Sequence, residues 1–369
     1  MEFINLPREY KAVKSSVDRA IEGTLQKGKF ILGRKVARLE SKIASLANTK
    51  YAIGLNSGTD ALFLALKAMN ISRGDEVITT PFSFVSTAEI IANCGAKPVF
   101  VDIDPDTFNI DSRKIERAIT KKTKVIIPVH LFGQMADMSE IVKIARKHKL
   151  QIIEDAAQAL GAKQKINGKW RPVGGVGDTG CFSFFPTKNL GAYGDAGMVT
   201  TNNKYLADKI RLLRNHGSKR KYYHEILGFS SRLDEIQAAI LLAKLPYLKE
   251  WNNRRRKIAA AYSKELGNIN GLKPPVVKKG YTHVFHQYTI RTPRRNELKS
   301  YLEKKGIPTS VHYPLPLHLQ PAFKCLKLGK NSFPESEKAA GEVLSLPIYP
   351  GLKSTDQNKI IKAVRSFFA

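Results

Sequence analysis

Short apolar runs alternate with segments of helical period through the first 155 residues. Tyr51–Leu55, Glu76–Thr79, Pro98–Val101, Lys124–Pro128 and Gln151–Glu154 are brief, rich in β-branched side chains and read as strands. Between them Asp60–Met69, Ser86–Asn93, Ser112–Ile119 and Ser139–His148 place apolar residues three and four apart, which predicts helices. Such alternation predicts an α/β fold, a mostly parallel sheet between helices, with function at the carboxyl ends of the strands. Upstream, residues 1–25 read as an arm and a helix, and Val36–Leu46 sets Leu39, Ile43 and Leu46 on one face. After Asp155 the pattern changes. Lys165-Ile-Asn-Gly-Lys-Trp170 carries the Asn-Gly of a hairpin, and strands follow at Cys181 and Met198–Thr201. Ser231–Glu250 reads as one long helix leading out of a large domain. Beyond it a smaller α+β domain is expected, with strands near Gln287–Arg291 and Thr309–His312 and a closing helix over Asp356–Phe368. The expected division is 1–25, an N-terminal arm and helix; 26–249, a large domain; and 250–369, a small C-terminal domain.

The composition narrows the class. A chain of 369 residues, 43% hydrophobic and 25% charged, has material for a large core and is not expected to be disordered. The amino terminus lacks a basic region followed by an apolar core, so no signal peptide is expected, and no apolar run approaches a membrane-spanning length. Cys94, Cys181 and Cys325 are far apart and form no CxxC pair, which argues against a disulfide framework or a metal cage and for a reducing cytoplasm. A formal charge of +29 raises nucleic-acid binding. However, the basic residues are scattered, and the densest run, Arg254-Arg255-Arg256-Lys257, lies in a helical pattern with no nucleic-acid motif beside it. Neither nucleic acid nor membrane is an expected partner; an anionic substrate would gain from the charge.

Candidate chemistry gathers where strands end. In C-F-S-F-F-P-T-K-N-L-G-A-Y-G-D-A-G, residues 181–197, Pro186 stops a strand, Lys188 follows, and glycines keep the next loop open. Ammonium groups are seldom placed beside a buried strand without a role, although a solvated loop lysine is the plainer reading. Ser57, Gly58 and Thr59 stand between a strand and a helix, where they either cap the helix or hold a phosphate. Ile152-Ile-Glu-Asp-Ala-Ala-Gln ends an apolar strand in two carboxylates. One of them can cap the next helix; the other needs a cationic or protonated partner, and a pyridinium nitrogen is one. Lys188 would then meet the aldehyde of pyridoxal 5'-phosphate. Phe84, just past another strand, either stacks on a flat ring or joins the core.

Longer motifs extend this set: S-G-T-D-A-L at 57–62, G-D-E-V-I-T at 74–79, G-A-K-P-V-F-V-D-I at 95–103 and I-E-D-A-A-Q at 153–158. S-F-F-P-T-K-N-L-G at 183–191, S-R-L-D-E-I-Q-A-A-I at 231–240 and V-H-Y-P at 311–314 complete it. In these, over nearly its whole length, the chain resembles the DegT/DnrJ/StrS family of nucleotide-sugar aminotransferases, which have fold type I of the pyridoxal-phosphate enzymes. The resemblance implies Lys188 as the lysine that joins the cofactor and later carries a proton, and Asp155 as the partner of the ring nitrogen. It implies Gln158 at the cofactor hydroxyl, Phe84 on the ring, and Gly58, Thr59 and Ser183 at the phosphate. It also implies a homodimer with sites between subunits, and Arg232 of one protomer with His312 and Tyr313 around the substrate. One departure stands out: the family's G-Y-N-x-R reads Gly228-Phe-Ser-Ser-Arg232 here, so Ser230 replaces an Asn that reaches the partner's cofactor phosphate. Weaker cofactor retention is expected, since a hydroxyl is shorter and donates once. The implied reaction moves an amino group from glutamate to the ketone of a nucleotide-linked sugar. Arg214-Asn-His-Gly217 and Val311-His-Tyr-Pro314 fit enzymes that aminate C-3, without excluding a 4-keto substrate. Family dehydratases carry histidine in place of the lysine or hold an iron–sulfur cluster, which Lys188 and the three cysteines argue against. A non-catalytic regulator that keeps the cofactor is the remaining alternative.

Overall fold

The computed structural model describes residues 1–369. Helix α1 (Leu6–Leu25) starts at Asn5, whose side chain accepts from the Arg8 N–H at 2.7 Å, and α2 (Arg34–Ala47) follows. Then β1 (Tyr51–Leu55), α3 (Gly58–Ala68), β2 (Glu76–Thr79), α4 (Ser86–Asn93) and β3 (Lys97–Phe100) alternate. They lead to α5 (Ser112–Ile115), β4 (Thr123–Ile126), α6 (Met138–His148) and β5 (Gln151–Asp155). A hairpin of β6 (Lys163–Ile166) and β7 (Lys169–Pro172) precedes β8 (Thr179–Ser183) and β9 (Gly197–Thr201). Next come α7 (Lys204–Leu213), a ribbon of β10 (Ser218–Arg220) and β11 (Tyr223–His224), α8 (Glu235–Lys244) and α9 (Leu248–Leu266). The chain closes with β12 (Tyr288–Arg291), α10 (Arg295–Lys304), α11 (Pro334–Glu342), β13 (Val343–Leu346) and α12 (Ser354–Phe368).

Seven strands form the central sheet in the order β1-β9-β8-β5-β4-β2-β3. All run the same way except β9, which is antiparallel to both neighbours. The two faces bury separate sets of side chains because successive strand residues point to opposite sides. Ile152 and Phe182 pack with α2, α6 and α8, whereas Ile153 and Cys181 pack with α3, α4 and α7. A third core, around Tyr262, Tyr288, Leu298, Leu344 and Ile360, joins α9 to the β12–β13 pair. Each such fully buried Leu or Ile contributes roughly 1.5–3 kcal/mol by leaving water. No helix is long and apolar enough to cross a membrane.

Two expectations are corrected. The helix expected over Ser231–Glu250 begins at Glu235, breaks in a 3-10 turn at Leu245–Tyr247, and restarts as α9 through Leu266. Pro246 explains the break: it has no N–H to donate to the previous turn, yet it suits the first turn of a new helix. Position 250 therefore lies in the first turn of α9, which runs from Leu248 in the large core to Leu266 in the smaller one. The basic run at 254–257 wraps around this helix. Arg255 points inward, donating to the Ile348 carbonyl at 2.7 Å, while Arg254 is exposed beside Glu250. Thr309–His312 is no strand, because Ser310 meets only Ser345 and β13 takes the place beside β12.

Candidate active site

The carboxyl ends of β1, β2, β5 and β8 face the same way, so Ser57, Phe84, Asp155 and Lys188, which follow these strands, stand along one edge of the sheet. After β8, Pro186 sits in a turn closed by the Lys188 N–H on the Phe185 carbonyl at 2.8 Å. Lys188 is half-buried, and no hydrogen bond or ion pair within the chain holds its Nζ. Loss of hydration pulls that amine from the ordinary lysine value of 10.5 down to about 8, against the opposing charge of Asp155.

Glu154 and Asp155, adjacent on β5, point to opposite sheet faces and have different partners. Glu154 is fully buried with His130 at 3.0 Å and accepts the N–H groups of Gly174, Val176 and Gly177 at 2.7–2.9 Å. Burial pushes its carboxyl up, but His130 and these amides outweigh it and hold the group below its ordinary value of 4.5. Asp155 accepts from the Thr87 hydroxyl at 2.7 Å and from the Ala157 N–H at 3.2 Å. Its charge is felt at Lys188.

The start of α3 forms a second part of the pocket. Ser57 does cap the helix, accepting from the Asp60 N–H at 3.0 Å, and the Thr59 hydroxyl lies 2.8 Å from that of Ser86. A Cβ at Gly58 would come within 2.6 Å of the Ser183 Cβ, and one at Gly197 within 2.1 Å of the Ser57 carbonyl oxygen. Both glycines are thus required by close approach of β8, β9 and the α3 terminus, which keeps Ser183 against the helix dipole. On the far side, Gln158 accepts from the Phe132 N–H at 2.7 Å and donates to the Tyr313 hydroxyl at 3.1 Å. The Phe84 ring, 56% exposed, is 6.3 Å from that of Tyr313. His312 pairs with the Ser345 hydroxyl at 2.9 Å; burial first, then the charge of Lys188, lowers its imidazole to about 4.

A model of the DegT/DnrJ/EryC1/StrS aminotransferase family matches residues 12–365. The chain belongs to that family. Among its relatives, a Geobacillus stearothermophilus "pleiotropic regulatory protein" is 52% identical over 99% of this chain and 98% of its own. The UDP-N-acetyl-3-dehydro-alpha-D-glucosamine 3-aminotransferase of Acidithiobacillus ferrooxidans is 44% identical over 98% of this chain and 96% of its own. A solved structure, NtdA from Bacillus subtilis with bound cofactor PMP, superposes with a TM-score of 0.93. It is 33% identical, over 100% of this chain and 85% of that one.

Two residues that the family motifs single out stand apart from the others. Ser230 is exposed, and its side chain makes no hydrogen bond within the chain; Arg232 reaches only Asn215, at 3.4 Å. Arg214 turns inward instead of toward a substrate, with Glu40 at 2.7 Å and the Gly54 carbonyl at 2.8 Å. Three neighbours escape the motif reading. Thr87 lies in the first turn of α4, three residues after Phe84, and its place just past a strand end is the signal that could have found it. His130 meets Glu154 across 24 residues of chain, and His286, 3.2 Å from the Asn189 side chain, lies in a loop of the smaller domain. No local pattern signals either.

Proposed function

We propose that this pyridoxal-phosphate aminotransferase moves the amino group of glutamate to the 3-keto group of a nucleotide-diphosphate sugar. The observation that carries the reading is the half-buried Lys188 amine, without a partner in the chain, lowered to about 8 by burial and within the charge of Asp155. At neutral pH about one such amine in ten is neutral, enough to act as a nucleophile and a proton carrier. The other residues fit the group. Gly58, Thr59, Ser183 and the α3 amino terminus are suited to a phosphate, and Phe84 offers a ring face. Gln158 keeps one amide proton beyond its bond to Tyr313, available to a ring hydroxyl. When bound, pyridoxal phosphate supplies an aldehyde and an electron-withdrawing ring. Asp155, held by Thr87, would then keep a proton on the ring nitrogen, and Lys188 Nζ would carry the proton to and from the carbon that gains or loses nitrogen. Tyr313 and His312 border the sugar side, the latter neutral at physiological pH.

The 3-position rests on the relative named for a 3-dehydro sugar. Amination of a panel of 3-keto and 4-keto nucleotide sugars with glutamate tests it, and faster turnover of a 4-keto sugar would overturn it. Lys188→Ala should abolish turnover in either case. A regulatory role is the second reading, because the relative with 52% identity carries a regulatory name. Glutamate separates the two: an enzyme converts its visible cofactor absorption to the PMP form, and an inert binder does not. We further propose a homodimer in which Ser230 and Arg232 complete the partner's site. Mixing Lys188→Ala with Arg232→Ala protomers should then restore activity that neither variant has alone. A reducing cytoplasm is the proposed setting, with Cys325 exposed and unpaired.

A further inference from the structure

A groove of about 1650 Å³ lies between α1, α2, the α8–α9 junction and the β6–β7 hairpin, and it shares no residue with the candidate active site. Nine of its lining residues are lysine or arginine and none is acidic. Arg34, Arg38 and Lys42 come from α2, Lys249 and Arg256 from α9, and Lys163 from β6. Elsewhere on the surface some basic side chains pair with acids of their own helices, as in Lys14–Asp18, Lys143–Glu140, Lys204–Asp208 and Arg254–Glu250, and others are dispersed singly. None of the nine groove cations forms an ion pair, although Lys35 is tied to the Ala20 carbonyl and the Thr24 hydroxyl and feels the charge of Glu235. Like charges gathered without counter-charges repel one another. That cost is recovered when an anion fills the groove.

The floor decides which anion fits. It is apolar, formed by Leu46 and by Leu242, Leu245 and Pro246 at the break between α8 and α9, and no aromatic side chain lines it. Stacked nucleic-acid bases would find no platform there, and a phosphate backbone would gain nothing from the leucines. The volume exceeds the roughly 300–1,000 Å³ of small-molecule sites. The basic positions of α2 from Arg34 to Lys42 span about 12 Å, roughly two turns of a facing helix. Arg34, Arg38 and Lys42, four apart on α2, step by about 6 Å and match carboxylates spaced four apart on a facing helix.

We propose that this groove docks an acidic amphipathic helix of a partner protein, with its apolar side on the leucine floor and its carboxylates against the cations of α2 and α9. The test is fluorescence anisotropy with the cofactor-loaded full chain. Three probes serve: an acidic peptide of about 14 residues with leucines at helical spacing, a scramble of the same composition, and a short DNA duplex. The amphipathic peptide should bind best. Arg34→Glu with Arg38→Glu and Lys42→Glu should weaken it by at least about tenfold, while Lys353→Glu with Lys359→Glu and Lys362→Glu, on the α12 side, should not. Lys249→Ala with Arg256→Ala provides a milder variant should the triple reversal not fold, and it should weaken binding severalfold. The glutamate half-reaction should persist in both groove variants. Equal binding of the scramble, tighter binding of the duplex, or indifference to the groove substitutions would overturn the proposal.

Discussion

The two faces of β5 put adjacent carboxylates to opposite uses. On one, Glu154 is enclosed by His130 and three backbone amides, and every partner lies within the chain. On the other, Asp155 has one hydroxyl and one amide and looks toward Lys188, whose amine has no partner at all. Burying either acid costs several kcal/mol unless it is compensated. Complete compensation builds structure: the Glu154 pair fastens the 174–177 turn to the sheet. Incomplete compensation leaves capacity for something that arrives from outside.

Two isosteric changes give this contrast its strongest test. Asp155→Asn should lower transamination by about 10²–10³-fold with little change in stability, as expected when one preorganised charge is lost from a reacting site. Glu154→Gln should do the reverse, costing about 3 kcal/mol in denaturant unfolding while the folded fraction keeps its kcat. If both variants lose activity at unchanged stability, the division fails. The acid limb of stability gives a second check. Because Glu154 titrates below 4.5, its contribution is complete above that pH and is lost as pH falls through its folded value. The Gln variant should therefore show a flatter acid limb.

The next effect belongs to Lys188. Its amine gains a neutral form as pH rises toward about 8, so the rate of pyridoxal-phosphate uptake, followed by visible absorbance, should climb nearly tenfold per unit and level off above that value. A plateau near 10.5 instead would mean that burial does not tune this lysine.

The sequence showed one side of this contrast far better than the other. The strand ends were visible because short apolar runs stop at Pro186, Asn56 and Asp155, and the residues beside them are local in the chain. Which of Glu154 and Asp155 faces the pocket was not visible from that segment, since the choice is made by His130 and the 174–177 turn, brought in from elsewhere. The same holds for Arg214, whose buried pairing with Glu40 no spacing rule anticipates. Nor could the helical run at 254–257 reveal which arginine turns inward, because the carbonyl of Ile348 that receives Arg255 lies far along the chain.

Thr87 sharpens the comparison at lower cost. Its hydroxyl is the one side-chain donor on Asp155, so Thr87→Val should remove about 1 kcal/mol and lower kcat roughly fivefold. It should also move the pH dependence of the cofactor's absorbance, a change that mere loss of packing would not cause. Thr87→Ser, which retains the donor, should restore the profile. An unchanged spectrum in the Val variant would make Thr87 a packing residue only.

The smallest effect is expected at Ser230, and the reason follows from the same contrast. Its hydroxyl, like the Lys188 amine, has no partner within the chain, but it is exposed, so water satisfies it and nothing is stored. Exposure removes the argument that burial makes for Lys188 and leaves only reach. Asn offers two amide protons on a longer side chain where Ser offers one, and one added hydrogen bond to a phosphate across a dimer is worth about 1 kcal/mol or somewhat more. Ser230→Asn should thus tighten pyridoxal phosphate by about fivefold in an equilibrium titration, with the glutamate half-reaction unchanged once the cofactor is saturating. Equal affinity of the two proteins would show that this position does not reach the phosphate, and that the partnerless hydroxyl is an ordinary solvated one.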